Sequence, residues 1–302
     1  MLEIQRRVLG GEHPVTLASM NNLGVALHDQ GRYPEAEELY RKTLEIRRRV
    51  SGEEHRDTLA SMGNVAAVLD DQARYSEAEE LYRKTLEIMG RVLGEEHPDT
   101  LSLMNNLGNV LDYQGRYPEA EELDRKTLEI RRRVLGEQHP DTLLSMNNLA
   151  QVLDAEGRYP EAEELATDAL MIWERSGEAT GPVRWLTTSV RGGALTGLGR
   201  FAEAEPLLIG AYETIKDSGD VTPADKPRAL DRIVRLYESW DAAEPGKGYA
   251  EKTAEWRAKL EELQGTKPRS HGGTGGKAEK QHRTATVRER TFRADAVGRN
   301  ED

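Results

Sequence analysis

The chain has 302 residues and a formal net charge of −12, with 37% hydrophobic and 32% charged residues, four Trp, ten Tyr, two Phe and no cysteine. That balance predicts a well-solvated helical protein rather than an enzyme with a thick core, and the lack of cysteine excludes disulfides and thiolate chemistry. The N-terminal "MLEIQRRVLGGEHP" lacks the apolar run of a signal peptide, and no stretch approaches the roughly 18 apolar residues of a membrane span, so a cytoplasmic protein with no membrane partner is expected.

Residues 1–13 align with "TLEIRRRVLGEQHP" at 127–140 and are read as the remnant of a preceding repeat helix and its linker. His13, His55, His97 and His139 lie 42 residues apart, and so do Tyr33, Tyr75, Tyr117, Tyr159 and Phe201. "EAEELYRKTLEI" at 35–46 recurs unchanged at 77–88 and with one substitution at 119–130. A period of this size marks stacked copies of one supersecondary unit, none of which buries its apolar face alone. Residues 14–174 hold four such units. In the third, a first helix is predicted from about Pro98 to Gln114, with Pro98 at a position where its missing N–H costs nothing and Asp99 complementing the helix dipole. Gly115 ends it, Arg116-Tyr117 make the turn, and Pro118 opens a second helix that is acidic at its start (Glu119, Glu121, Glu122) and basic at its end (Arg131, Arg132, Arg133). Met104, Leu107 and Leu111 form the apolar stripe of the first helix, and Ala120, Leu123, Leu128 and Ile130 that of the second. A small residue (Gly24, Ala66, Gly108, Ala150) is placed where the two helices cross.

From 175 to 264 the pattern decays. "GLGRFAEAEPLL" keeps the turn and second helix, Arg191 replaces an expected apolar residue, and "KPRALDRIVRLYESW" with "AEKTAEWRAKLEEL" makes a divergent last pair. Residues 265–302 carry nine Lys/Arg against five Asp/Glu, are Gly-rich, and are expected to form a disordered basic tail. The remaining body carries −16, which repels phosphate backbones, so no nucleic-acid partner is expected.

"MNNLGNVLDYQGRYPEAEELDRKTLEI", through Leu107-Gly108, Gly115, Tyr117, Ala120 and Leu128, resembles a tetratricopeptide repeat. The 42-residue unit, the "NNL" and the "LGEEHPDT" linker resemble the kinesin-light-chain type. The resemblance implies an all-α fold, a right-handed α-α superhelix of TPR solenoid type, acting as a non-catalytic scaffold for protein–protein interaction. Residues 175–264 are similar to the ends of repeat arrays in bacterial, planctomycete-like Ser/Thr kinases, although the turn "DAAEPGKGY" is several residues longer. That similarity implies a second reading: the regulatory or substrate-recruiting region of a kinase signalling protein. The chain itself has no Gly-rich nucleotide loop and no His-Arg-Asp catalytic motif, since its one such string, His55-Arg56-Asp57, is a repeat linker equivalent to the His-Pro-Asp of the later units.

Candidate chemistry follows the repeats. Stacked helices lie about 8–10 Å apart, too far for histidines of successive repeats to share a zinc ion at ~2.0–2.1 Å. The four linker histidines are therefore expected to bond free helix-end groups. The paired glutamates sit at helix N-termini where the dipole accounts for them, and "GGTGG" at 272–276 lacks the context of a phosphate loop. No catalytic residue, cofactor or metal is assigned. The triplets Arg47–Arg49 and Arg131–Arg133 are read as dipole complements salt-bridged to neighbouring glutamates.

The asparagines are the informative set. Asn21, Asn22, Asn64, Asn105, Asn106, Asn109, Asn147 and Asn148 lie opposite the apolar stripe of the first helices, although asparagine is a mediocre helix former. In the family this resembles, that face lines a concave groove whose amides hold an extended ligand's backbone. An amide both donates and accepts, and a ~9–10 Å repeat spacing matches about three extended residues. The competing reading has Asn22, Asn64, Asn106 and Asn148 bonding between helices. His28, Asp29, Asp70, Asp71, Asp112, Tyr113 and Asp154 lie on the same face and make it acidic, which predicts a basic, extended peptide as partner. The chain's own basic tail is a second candidate occupant, and the uncapped N-terminal repeat edge a candidate surface for self-association.

Overall fold

His13, His55, His97 and His139 each take extended backbone and start a first helix, their imidazole Nδ1 accepting the N–H of Val15, Asp57, Asp99 and Asp141 at 3.1–3.3 Å. The imidazole thus fills the N-cap role usually taken by Ser, Thr, Asn or Asp, satisfying one of the orphan donors of the first turn. The linker histidines bond helix ends, as their repeat spacing predicts. The computed structural model describes residues 2–176, 182–218 and 225–265. The basic tail beyond Gly265, and with it the reading of the tail as a groove occupant, lies outside the described residues.

All regular structure described is α-helical: α1 (Leu2–Leu9), α2 (Pro14–Asp29), α3 (Tyr33–Ser51), α4 (Arg56–Asp71), α5 (Tyr75–Val92), α6 (Pro98–Tyr113), α7 (Tyr117–Leu135), α8 (Pro140–Ala155), α9 (Tyr159–Ser176), α10 (Pro182–Gly197), α11 (Phe201–Ile215), α12 (Asp225–Ala243) and α13 (Tyr249–Gly265). Even-numbered helices from α2 are the first helices of their hairpins and odd-numbered ones from α3 the second. Two boundaries differ from the sequence expectation. α6 stops at Tyr113 with Gln114 as its cap, and α7 opens one residue earlier, at Tyr117, leaving Pro118 inside the first turn where no N–H is required. The turn between them is closed by Gly115 N–H to Asp112 O and Arg116 N–H to Leu111 O, both 2.9 Å, with Gly115 at φ +74°.

The helices form two compact units, residues 2–119 and 120–265, with the junction inside α7. In the first unit each helix packs on its predecessor from α1 to α6. Gly24 of α2 meets Tyr40 of α3 so closely that a Cβ would lie 2.4 Å from the ring. In the second unit α8 to α13 pack in sequence, and α10 also meets α8 and α12. Its core includes Leu128, Leu143, Met146, Leu149, Ala162, Ala169 and Trp173. Gly192 of α10 repeats the close approach, with a Cβ position 2.6 Å from Leu208 of α11. The last hairpin is sealed by aromatics: Trp240 stacks on Tyr249 at 4.2 Å and on Phe201 at 5.6 Å, and Trp256 is buried.

Two polar devices join successive repeats. Glu37, Glu79 and Glu121 on second helices accept bonds from Arg74, Arg116 and Arg158, each 37 residues on, at 2.5–2.9 Å. Arg41, Arg83 and Arg125 brace the same carboxylates from within their own helices. The second device corrects the reading of the arginine triplets at their first members only, since Arg48, Arg49 and Arg132 pair with Glu53, Glu12 and Glu137 as expected. Arg47 and Arg131 are fully buried rather than paired with surface glutamates. Arg47 donates to Asp57 O and Ser61 Oγ, both 2.8 Å, and Arg131 to Asp141 O at 3.0 Å and Ser145 Oγ at 2.8 Å. Each therefore ties the end of a second helix to the start of the next first helix, as a guanidinium fork with several donors is suited to do. The intervening repeat carries Met89 and Leu103 at these two positions, so arginine and serine change together.

Candidate functional site

Residues three, four and seven apart share a helix face. On α6 this places Asn105, Asn109 and Asp112 in one stripe, and on α8 the same offsets place Asn147, Gln151 and Asp154. All six are buried, as are Asn106, Tyr113 and Asn148. An apolar helix seam would be filled by aliphatic side chains at lower cost, since each buried polar group costs about 1–3 kcal/mol unless it is bonded.

Bonds at an offset of 43 residues cross the seams between first helices. Asn64 Nδ2 donates to Asn21 Oδ1 at 2.9 Å, His28 Nε2 meets Asp71 Oδ2 at 2.7 Å, and Arg232 Nη1 donates to Ser189 Oγ at 3.0 Å. The between-helix reading is therefore realised for Asn64, but with Asn21 as its partner. Asn22, placed in that set by register, is exposed. That reading is realised for Asn106 as well, which bonds from α6 to the fully buried Tyr82 of α5, whose hydroxyl is pushed up by burial and by Asp70, the amide offsetting part of this. Asn147 Nδ2 donates to Asn148 Oδ1 at 3.3 Å. Around these, His28 packs edge-on against Tyr33 at 5.4 Å, and Tyr113 stacks on Tyr75 at 5.2 Å.

The first unit thus holds Asn21, Asn22, His28, Asn64, Asp70, Asn105, Asn106, Asn109, Asp112 and Tyr113 on its first helices, with Asp70 also buried. The second unit holds Asn147, Asn148 and Asp154 on α8. Sequence reasoning missed Gln151 and Arg232 on this face. Gln151 stands 42 residues after Asn109, and Arg232 stands 84 after Asn148, so extending the repeat alignment column by column finds both. Burial pushes the Asp154 carboxyl up, an effect partly offset by the guanidinium groups of Arg232 and Arg235. Burial also pushes Arg232 down to about 10, with Asp154 acting in the opposite direction. Among the described residues, no group of three His, Asp or Glu side chains is placed to hold a metal ion, and no helix is long and apolar enough to cross a membrane.

The tetratricopeptide repeat profile matches four overlapping stretches, 2–49, 16–91, 57–133 and 99–175, together more than half of the chain. No protein of curated function matches. Two crystal structures of a kinesin-light-chain-like protein from Podosopora anserina, built of nearly identical TPR-like repeats, align at 28% and 27% identity, with TM-scores of 0.58 and 0.57. They cover 67% and 70% of this chain and 95% and 99% of theirs. The apo form of RapI shares the fold, with 17% identity, a TM-score of 0.63, and coverage of 86% of this chain and 90% of its own. BtubC (BKLC) from P. vanneervenii shares it too, at 18% identity and a TM-score of 0.56 over 82% of this chain and 99% of its own. The 42-residue period, the histidine-capped first helices and the profile match lead to one assignment: the chain belongs to the tetratricopeptide-repeat family, with an all-α solenoid fold and units of the kinesin-light-chain type.

Proposed function

We propose that this protein is a non-catalytic scaffold that binds partner proteins, and that its first-helix face holds an extended, basic segment of the partner. The observation that carries the reading is the recurrent polar stripe, Asn105, Asn109 and Asp112 on α6 and Asn147, Gln151 and Asp154 on α8. Helix packing alone favours aliphatic residues there, whereas amides and carboxylates match the N–H and C=O groups of an extended chain and the cations of its side chains. Asn21, Asn22, His28, Asn64, Asp70, Asn106, Tyr113 and Asn148 complete the face on their own helices. The net charge of −12 favours cationic partners at the level of encounter as well.

The test is a fluorescence-anisotropy screen of a labelled library of extended peptides, graded in charge, against the full chain and the double variant Asn105→Ala, Asn147→Ala. Basic members are expected to bind best at low salt, with at least about tenfold weaker affinity for the variant, a difference of roughly 1.4 kcal/mol. Undiminished affinity of the folded variant for every ligand found overturns the assignment of the face.

A further inference from the structure

Equivalent positions in the first unit differ in one way: what is covered on α4 and α6 is open on α2. Leu23 of α2 is 43% exposed, whereas its equivalents Val65 and Leu107, one and two periods on, are 0% and 3% exposed. Asn22 and Ala26 are exposed beside it, whereas Asn64, Asn106, Val68 and Val110 are buried. The guanidinium ladder is open at the same hairpin. Arg74 and Arg116 clasp Glu77 and Glu119 through Nε and Nη2, and each gives Nη1 to a glutamate 37 residues earlier. Arg32 makes the same clasp to Glu35, but its Nη1 meets no carboxylate among the described residues.

The seam between α5 and α6 displays the chemistry that closes such a face. Glu79 and Tyr82 stand three apart on one side of α5, the carboxylate accepting from Arg116 and the tyrosine hydroxyl bonding Asn106. Two periods earlier the same two partners are Arg32 and Asn22. α1 is in register with residues 86–93 of the chain, so it packs on α2 without reaching the stretch that Glu79 and Tyr82 fill beside α6. We propose that the outer face of α2 docks an amphipathic helix of a partner protein that carries Glu-x-x-Tyr, its carboxylate on Arg32, its tyrosine hydroxyl on Asn22 and its apolar side on Leu23 and Ala26. A carboxylate matches the open guanidinium nitrogen, and a hydroxyl can either donate to the amide or accept from it. A folded second copy of this chain does not offer the pattern, because its own Glu-Glu-Leu-Tyr stretches at 37–40 and 79–82 are packed into seams with Tyr40 and Tyr82 buried. This surface takes a helix onto the end of the first unit, whereas the stripes of Asn105 and Asn147 are assigned an extended segment.

The probe is a synthetic peptide of residues 75–85, YSEAEELYRKT, too short to be helical alone and therefore held by a lactam between the Glu80 and Lys84 side chains, which are exposed in α5. It is titrated into the ¹⁵N-labelled full chain, following the Asn22 side-chain amide and Arg32 Nε signals. Saturable shifts of both are expected, and none with a peptide of scrambled order. Leu23→Asp, at an exposed position, is expected to weaken binding at least about tenfold. Glu79→Gln in the peptide is expected to weaken it about twofold to fivefold. Arg32→Glu is expected to abolish the response to this peptide and to restore it for a peptide with Glu79→Lys, a rescue that a loss of structure at Arg32 would not allow. No saturable shift, equal shifts with the scrambled peptide, or failure of the charge exchange in the folded variant overturns the seat. Saturation at the Asn105 and Asn147 side-chain amides instead assigns the peptide to the first-helix face, which overturns the seat and leaves the groove reading intact. Shifts at Asn22 and Arg32 that grow with protein concentration in the absence of peptide give the face to a second copy and overturn the partner helix.

Discussion

Ala73 ends α4 with φ at 60°, in the place where Gly31, Gly115, Gly157 and Gly199 take φ of 72–77° in their repeats. An L-residue in the left-handed region is strained by roughly 1–2 kcal/mol, and glycine escapes that strain at some cost in unfolded-chain entropy. Ala73→Gly is expected to raise stability by about 1 kcal/mol, seen as a higher urea midpoint at an unchanged slope. No gain would mean that the loop has relaxed around the alanine. The buried arginines carry a sharper test. Arg47→Met leaves Ser61 Oγ and Asp57 O without their donor and is expected to cost about 1–3 kcal/mol. Adding Ser61→Leu rebuilds the Met89 and Leu103 combination already present one repeat on, and is expected to restore more than half of the loss in a double-mutant cycle. At this scale the capping histidines were legible, because a lone imidazole at the head of the first helix in every period has little else to do. The buried role of Arg47 was not, since an arginine in the last turn of a helix is ordinarily a dipole complement on the surface. Only its co-substitution with Ser61 across the repeats carried the signal.

The helices of the third unit were legible to within a residue or so, because their boundaries are written by local chemistry: histidine and proline at the start of the first helix, glycine in the left-handed region just past its end. What joins one hairpin to the next was less so, as glutamates at helix starts are accounted for by the dipole before any partner is considered. In the fold, Glu37, Glu79 and Glu121 are raised by partial burial, but bonds from arginines and a neighbouring Gln72 or Gln114 outweigh this and leave the carboxyls below the ordinary range. A carboxyl whose folded pKa lies below its unfolded value near ~4.3 contributes stability that is fully present above that pH and is lost as pH falls through the folded value. These groups are therefore expected to give a stability plateau toward neutral pH and a decline below about pH 4. In the triple variant Glu37→Gln, Glu79→Gln, Glu121→Gln the decline should be shallower and the plateau lower. Parallel acid profiles for the two proteins would remove the seam carboxylates from the account.

For the whole molecule, the period of 42 made the all-α repeat fold and its family legible before any side chain was placed, since units that cannot bury a core alone must stack. The candidate face was legible as a set of columns and not as a set of contacts. Periodicity identifies which residues share a face, but a bond offset of 43 rather than 42 depends on how adjacent helices slide past one another. That slide pairs Asn64 with Asn21 and leaves Asn22 exposed, and it brings Arg232 to Ser189 in a stretch where the pattern had decayed. Which face meets the partner can be read from a contact map. A library peptide carrying a photo-crosslinking residue at each position in turn would be bound to the full chain, irradiated and mapped by mass spectrometry. Cross-links are expected on first helices, beside the Asn105 stripe of α6 or beside the Asn147 stripe of α8. Cross-links confined to the second helices α3, α5 and α7 would contradict that placement.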